Sequence, residues 1–320
     1  MKITGRITAL ILVLMLFFSA ARAEGTVVPL DGSDEMLNPL PMDDYTVCGP
    51  RPNPENYTEL TYKDASIEVT CWHEWIDDGH VNAAHIKIAD ASQLRTALWE
   101  NSLKRNHYVW HIADVNNAVV ACGGEFLANK DNKNTYTIRM SNELRVRYGY
   151  TKRDALVIDD KGDFHILHYF TKEGVQSLTD SGIKIVNLFN FGPALVVDGE
   201  IPPELGKKKP LYPVGYTTAL QPRTAIGQIG PLEYLMVVVD GRLKKCDTED
   251  GKKKSSKGLN VSTLGQYMLD HGCTQAYTLD GGGSAAMYFN NGTVKDGIFS
   301  VPAEKRGVTD IVYFATLVGN

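Results

Sequence analysis

Apolar and polar residues alternate with period two over most of this chain, in short runs closed by turn residues. Ser66-Ile67-Glu68-Val69-Thr70-Cys71-Trp72 predicts a strand, Asp77-Asp78-Gly79-His80 a turn, and Val81 to Ala89 the returning strand. Asn117 to Cys122 predicts a short buried strand that runs into Gly123-Gly124. Asp154 to Asp159 and Phe164 to Tyr169 read as a hairpin. Ile185 to Phe191 is apolar, and Gly192 to Glu200 is a strand closed by Asp198-Gly199. Leu232 to Gly241 and Asp310 to Val318 are buried strands. The helical period is rarer. Ala91 to Leu103 predicts a helix with Ser92 as N-cap and Leu94, Leu98 and Trp99 on one face. Lys172 to Ser181 predicts another, and Trp110 to Val115 the start of a helix or a turn. A capping box of Thr263 and Gln266 opens a last helix that stops at Gly272. Many strands and few helices predict an α+β fold: mixed, largely antiparallel β-sheets with flanking helices, in a single domain over residues 62–320.

Composition adds a compartment. Residues 1–23 read as a signal peptide: Lys2 and Arg6, an apolar stretch from Ala9 to Phe18, then Ala21-Arg22-Ala23 as a cleavage site. That stretch is short for a membrane span, so a secreted chain without a span after signal removal is expected. Residues 24–61 are rich in Pro, Asn and Asp and read as an extended lead-in, partly mobile. Removal of the signal leaves 30 basic and 38 acidic residues, a balance that speaks against nucleic acid as a partner. The five cysteines lie in a chain whose export permits disulfides. Spacing does not fix their connectivity; the local pairs Cys48–Cys71 and Cys246–Cys273, with Cys122 unpaired, are the expectation. Lys244 to Lys257 is polar and lysine-rich and reads as a flexible loop.

The chemistry gathers at Tyr277-Thr278-Leu279-Asp280-Gly281-Gly282-Gly283-Ser284. An alternating apolar run ends on one carboxylate, followed by glycines that cost backbone entropy and so are not kept for stability. Such a turn lets a ligand approach bare N–H groups. Its bland reading is a hairpin with a glycine-rich turn. Gly123-Gly124 suggests a second close approach, or else a bulge at a strand end. The third marked segment is Pro222-Arg223-Thr224-Ala225-Ile226-Gly227.

Taken together and in order, these segments resemble the phosphodiester glycosidase family. The resemblance rests on Leu279-Asp280-Gly281-Gly282-Gly283-Ser284 and on Pro222-Arg223-Thr224-Ala225-Ile226-Gly227. Gly192 to Gly199, Gly258 to Gly272 and Lys305-Arg306-Gly307-Val308-Thr309-Asp310 support it, and it spans roughly Ser66 to Val318. One departure stands out: Cys122-Gly123-Gly124-Glu125-Phe126 replaces the family's Asn-Gly-Gly-Phe-Phe, putting a thiol for an amide and an acid for an aromatic ring. The resemblance implies an exported hydrolase that cleaves a sugar-1-phosphodiester at the anomeric C–O bond; lysosomal and bacterial extracellular destinations are both open, and the short lead-in favours the latter. It implies Asp280 at the anomeric centre, and Arg223 with the Gly281, Gly282, Gly283 and Ser284 turn on the phosphate. Glu125 and Asp310 are the candidates for a second carboxylate, the bland reading of Glu125 being a solvent-facing loop acid. Thr224, Gly123, Gly124, Asp310 and Arg306 complete the expected substrate contacts. The sequence requires no cofactor; a Ca²⁺ or Mg²⁺ ion between Asp280 and the phosphate is an open alternative. A different class fits the departure at Cys122: a glycan- or wall-polymer-binding protein of the same fold that has lost turnover.

Overall fold

The computed structural model describes residues 25–102, 104–126, 153–207, 217–247, 252–292, 295–300, 302, 304 and 306–319. The expected signal peptide falls outside them, as do most of the lysine run after Pro202 and the tip of the segment from Lys244 to Lys257.

Two sheets face each other. The larger is built from β1 (Thr61–Lys63), β2 (Ile67–Ile76), β3 (Gly79–Ile88), β9 (Ala194–Val196), β10 (Arg223–Gly230), β11 (Glu233–Asp240) and β14 (Gln275–Leu279). Their spatial order is β1-β2-β3-β11-β10-β14-β9, with every pairing antiparallel. The second sheet contains β4 (Leu94–Leu98), β5 (Ala118–Gly123), β15 (Met287–Phe289) and β16 (Asp310–Ala315) in the order β15-β5-β16-β4. A small third sheet holds β6 (Ala155–Asp159), β7 (Phe164–Leu167) and β8 (Ile185–Phe189).

Alternation decides what each strand residue buries. On β10 and β11, Ile226, Tyr234, Met236 and Val238 enter a core shared with Cys122, Leu156, Met287 and Val312 of the other sheets. Ala225, Leu235, Val237 and Val239 instead meet Val261, Leu264, Tyr267 and Met268. Those four belong to α3 (Val261–Asp270), which covers the outer face of the large sheet. The short helix α1 (Val109–Val115) covers the second sheet through Trp110 and Ile112. Val175 of α2 (Lys172–Asp180) packs on the third sheet. Each apolar side chain so buried stabilises the fold by roughly 1.5–3 kcal/mol. The α+β expectation, with antiparallel sheets and flanking helices, holds.

Four local expectations are overturned. Residues 91–103 do not form one helix. Ala91–Gln93 is a single 3-10 turn capped by Asp90, and the chain then runs as strand β4 along β16. All five residues of β4 are buried, so a strand with two covered faces wins over a one-faced helix. The residue that betrays this is Arg95, whose guanidinium is buried and donates to the carbonyls of Pro41, Asp44, Val47 and Ser92. That network pins the lead-in segment to the domain. The lysine-rich stretch is a two-stranded hairpin, β12 (Leu243–Asp247) with β13 (Lys253–Ser256), because it carries its own cross-strand ladder. The last helix is capped by Asn260, whose side chain accepts from Thr263 N at 2.9 Å, rather than by Thr263. No disulfide joins the described cysteines: Cys71 packs between the sheets in a core that does not include Cys48, and Cys273 packs under α3 in one that does not include Cys246. The expected pairs Cys48–Cys71 and Cys246–Cys273 are not formed.

Candidate active site

The antiparallel register of β10 and β14 ends with Thr224 opposite Leu279. Arg223 and Asp280, one residue further out, are thereby brought to the same end of the large sheet. The chain does not turn back at the glycines. It passes through a 3-10 turn, Gly282–Ser284, and enters β15 of the second sheet. The glycine run is therefore a crossover between sheets, not a hairpin turn. Gly282 has φ +60°, where a Cβ is strained, and its N–H donates to Pro222 O at 2.9 Å. Asp280 N–H donates to Gly124 O at 2.9 Å and Gly124 N–H to Asp310 O at 3.1 Å, which stitches the ends of β14, β5 and β16 together.

At this junction lies a cavity of about 370 Å³, lined by Asp280, Gly281, Gly282, Arg223, Arg242 and Arg306 on its polar side. Phe126, Phe191, Pro222 and Leu279 supply apolar wall, and Gln221 and Thr278 complete the lining. Asp280 is 8% exposed, and burial raises its carboxyl to about 6, against hydrogen bonds from Ser284 and Gly281 N–H and the nearby charge of Arg306. Arg306 holds this acid in two ways. Its Nη2 lies 3.5 Å from Asp280 Oδ2. Its Nε and Nη2 donate to Ser284 Oγ at 2.9 and 2.8 Å, so the serine proton is left for the carboxylate.

Arg223 is 5% exposed and has no acidic partner among the described residues. Its Nε donates to Leu259 O at 3.0 Å and its Nη2 to Ala219 O at 2.9 Å. Burial and the neighbouring Arg242 lower its guanidinium to about 10. Arg242 rests on Gln221 Oε1 at 2.7 Å and on Glu304 at 3.0 Å. The cavity therefore presents a buried carboxylate beside guanidinium groups in excess, an environment suited to an anion next to a cation-like centre. Thr278 Oγ1, also in the lining, is buried without a hydrogen-bond partner.

Of the residues marked from sequence, Asp280, Arg223, Gly281, Gly282 and Arg306 line the cavity. Gly283, Ser284, Gly123, Gly124, Thr224, Glu125 and Asp310 are not among its lining residues. Glu125 is not a solvent-facing loop acid: it is 2% exposed, and burial raises its carboxyl to about 8, with Asp310 and Asp280 adding to the rise. Thr224 shares the inward face of β10 with Ile226, and its hydroxyl is buried without a partner. Cys122 is wholly buried between the sheets, and burial pushes its thiol up. Gly124 has no room for a Cβ, which would stand 2.7 Å from Asp310 Cγ. Gly124→Ala is expected to cost roughly 1–3 kcal/mol, read as a lowered urea midpoint with unchanged m-value.

Sequence reasoning missed Arg242, Gln221, Phe126, Phe191 and Thr278 as lining residues. The usable signal for Arg242 was its place just past β11, the strand that pairs with β10 and so ends beside Arg223.

Comparison with known proteins gives the family. The phosphodiester glycosidase family model matches residues 116–315, more than half of the chain. The protein belongs to the phosphodiester glycosidase family, a family of hydrolases that act on glycosyl phosphodiesters. Among individual relatives, the SPbeta prophage-derived uncharacterized protein YomE of Bacillus subtilis (strain 168) is 30% identical over 156 residues, covering 47% of this chain. The match covers only 21% of that relative. In structure the chain resembles the catalytic domain of zebrafish N-acetylglucosamine-1-phosphodiester α-N-acetylglucosaminidase auto-inhibited by its pro-peptide. The TM-score is 0.60 at 17% identity, over 79% of this chain and 85% of that one. A hypothetical protein from Synechocystis aligns with a TM-score of 0.49 at 12% identity, over 78% of this chain and 62% of that chain. No helix among the described residues is long and apolar enough to cross a membrane.

Proposed function

We propose that this protein is an exported hydrolase that cleaves a sugar-1-phosphodiester at its anomeric C–O bond, with Asp280 and Arg223 as its catalytic pair. One observation carries the reading: a buried carboxylate and a buried guanidinium with no acidic partner line one cavity. Asp280, ionised at neutral pH, sits where positive charge develops at the anomeric carbon as the bond to the phosphate oxygen breaks. Arg223 and Arg242 take the negative charge that collects on the leaving phosphate. Water supplies the hydroxyl, and the products are free sugar and a phosphomonoester. Arg306 and Ser284 orient the carboxylate and screen it from the phosphate.

The bare-amide part of the expectation narrows. Gly282 N–H is committed to Pro222 O and Gly281 N–H to the Asp280 carboxylate, so guanidinium groups carry the anion binding in this reading. No group of three or more His, Cys, Asp or Glu side chains among the described residues is placed to hold a metal ion.

The test is incubation with a synthetic sugar-1-phosphodiester while reducing sugar and phosphomonoester are followed together. Their release in equal amounts supports the reading. Saturable binding with no release replaces it by the glycan-binding alternative.

A further inference from the structure

The apolar side of the cavity is built by a residue that does not line it. Phe126 and Phe191 are the aromatic lining residues, with ring centroids 5.9 Å apart and planes tilted by 55°. They follow strands of different sheets, Phe126 after β5 and Phe191 after β8. Glu125 bridges the two. One oxygen of its carboxyl, Oε1, accepts from Phe126 N–H at 2.9 Å, and the other, Oε2, accepts from Asn190 N–H in a short contact. The Glu125 backbone is itself fixed, because its N–H lies 3.1 Å from each oxygen of Asp310. Asn190 is fixed on its far side by its Nδ2, which donates to Asp154 O at 3.1 Å. The carboxyl thus clamps the residue that carries one ring and the residue next to the other.

We propose that Phe126 and Phe191 form a stacking wall for the apolar face of a pyranose ring, and that Glu125 is the positioning residue that sets this wall. The inference rests on the reading of the cavity as a sugar-phosphodiester site. It names the part that takes the sugar, while the arginines take the phosphate. Two rings meeting at an angle offer a continuous apolar corner, which suits the C–H face of a pyranose better than a charged group. An acid at position 125 is what lets one side chain hold two backbone N–H groups across two sheets; an aromatic ring there accepts neither.

The experiment uses the full mature chain and phosphate-free methyl α-D-glucopyranoside and methyl α-D-galactopyranoside, with binding followed by NMR titration. Wild type is expected to bind at least one of them in the millimolar range. Phe191→Ala is expected to weaken that binding roughly tenfold, as loss of most of a ring contact does. Glu125→Gln keeps one acceptor and is expected to weaken it about three- to fivefold, and Glu125→Leu more. The double variant Phe191→Ala/Glu125→Gln is expected to bind no more weakly than Phe191→Ala, because both changes remove the same wall. Circular dichroism checks folding, and Glu125→Gln stands in should Glu125→Leu not fold. On a sugar-1-phosphodiester the single variants should raise KM with kcat within a few-fold.

Equal sugar binding by wild type and Phe191→Ala overturns the wall, as does absence of binding by wild type. Additive losses in the double variant overturn the positioning role, and so does a kcat loss at unchanged KM in Glu125→Gln. Sugar binding that depends on Phe191 without phosphodiester turnover upholds the wall and removes the reaction. Turnover whose KM ignores Phe191 does the reverse.

Discussion

Asp280→Asn is expected to lower kcat/KM on a sugar-1-phosphodiester by about 10³-fold or more, and to raise the melting temperature at pH 7.5. The first effect follows from removing the charge proposed to meet the anomeric centre, a loss of roughly 4 kcal/mol of transition-state stabilisation. The second follows from burial. The Asp280 carboxyl titrates near 6 in the folded protein against an ordinary value of 3.8, so the folded state holds the proton more tightly than the unfolded chain. Stability is therefore full below about pH 4 and is lost as pH rises through about 6. At pH 7.5 the folded protein carries an ionised acid at a cost on the order of 1–3 kcal/mol, which an amide does not bear. Thermal melts of the two proteins should separate at pH 7.5 and converge near pH 4. In wild type, kcat/KM should fall on the acid side of about pH 6, close to tenfold per unit, because the reaction uses the ionised form. An acid limb well below pH 5, or full activity in the Asn variant, removes Asp280 from the chemistry.

Arg223→Lys is expected to cost about 10²–10³ in kcat/KM although the charge is kept. The guanidinium here is a fork with two tines already committed, Nε to Leu259 O and Nη2 to Ala219 O. This fixes its plane toward the cavity before any ligand arrives. An ammonium group makes no such fork and is hydrated more strongly, so it neither holds both carbonyls nor presents a fixed donor edge. Leaving a buried carbonyl unpaired adds roughly 1–3 kcal/mol of destabilisation, which chemical denaturation reads independently of turnover. Steady-state kinetics and urea unfolding on the same variant separate the two effects. A stability loss with unchanged kcat/KM makes Arg223 a structural tie and leaves the phosphate to Arg242 and Arg306.

These two residues also mark the border between what sequence and structure contribute. Asp280 was legible because an alternating run that ends on a carboxylate before three glycines has a short list of physical purposes. Arg223 was legible only through its neighbours in a segment that resembles a known family. Phe126, Phe191 and Arg242 were not legible as site residues, because nothing local distinguishes a ring or a guanidinium that follows a strand from any other at a loop edge. Glu125 was legible as an acid in an odd place, and its burial was not, since burial depends on Asn190, just past β8, and Asp310 of β16 arriving from elsewhere in the chain. The helix expected at Ala91 failed for a related reason. Leu94, Leu98 and Trp99 fit one helical face by spacing, yet both sides of that segment are covered once β16 lies alongside it.

The amino-acid order by itself determined the strand-rich α+β class and most strand positions, and marked one acid that lines the cavity, because period-two burial and turn chemistry act within about ten residues of chain. The tertiary structure alone decided which strand ends share a cavity, that the glycine run joins two sheets rather than two strands of one, and which charges lose their water. Those outcomes follow from contacts between residues far apart in sequence, where desolvation by neighbours sets whether an acid or a guanidinium is a surface group or a working one.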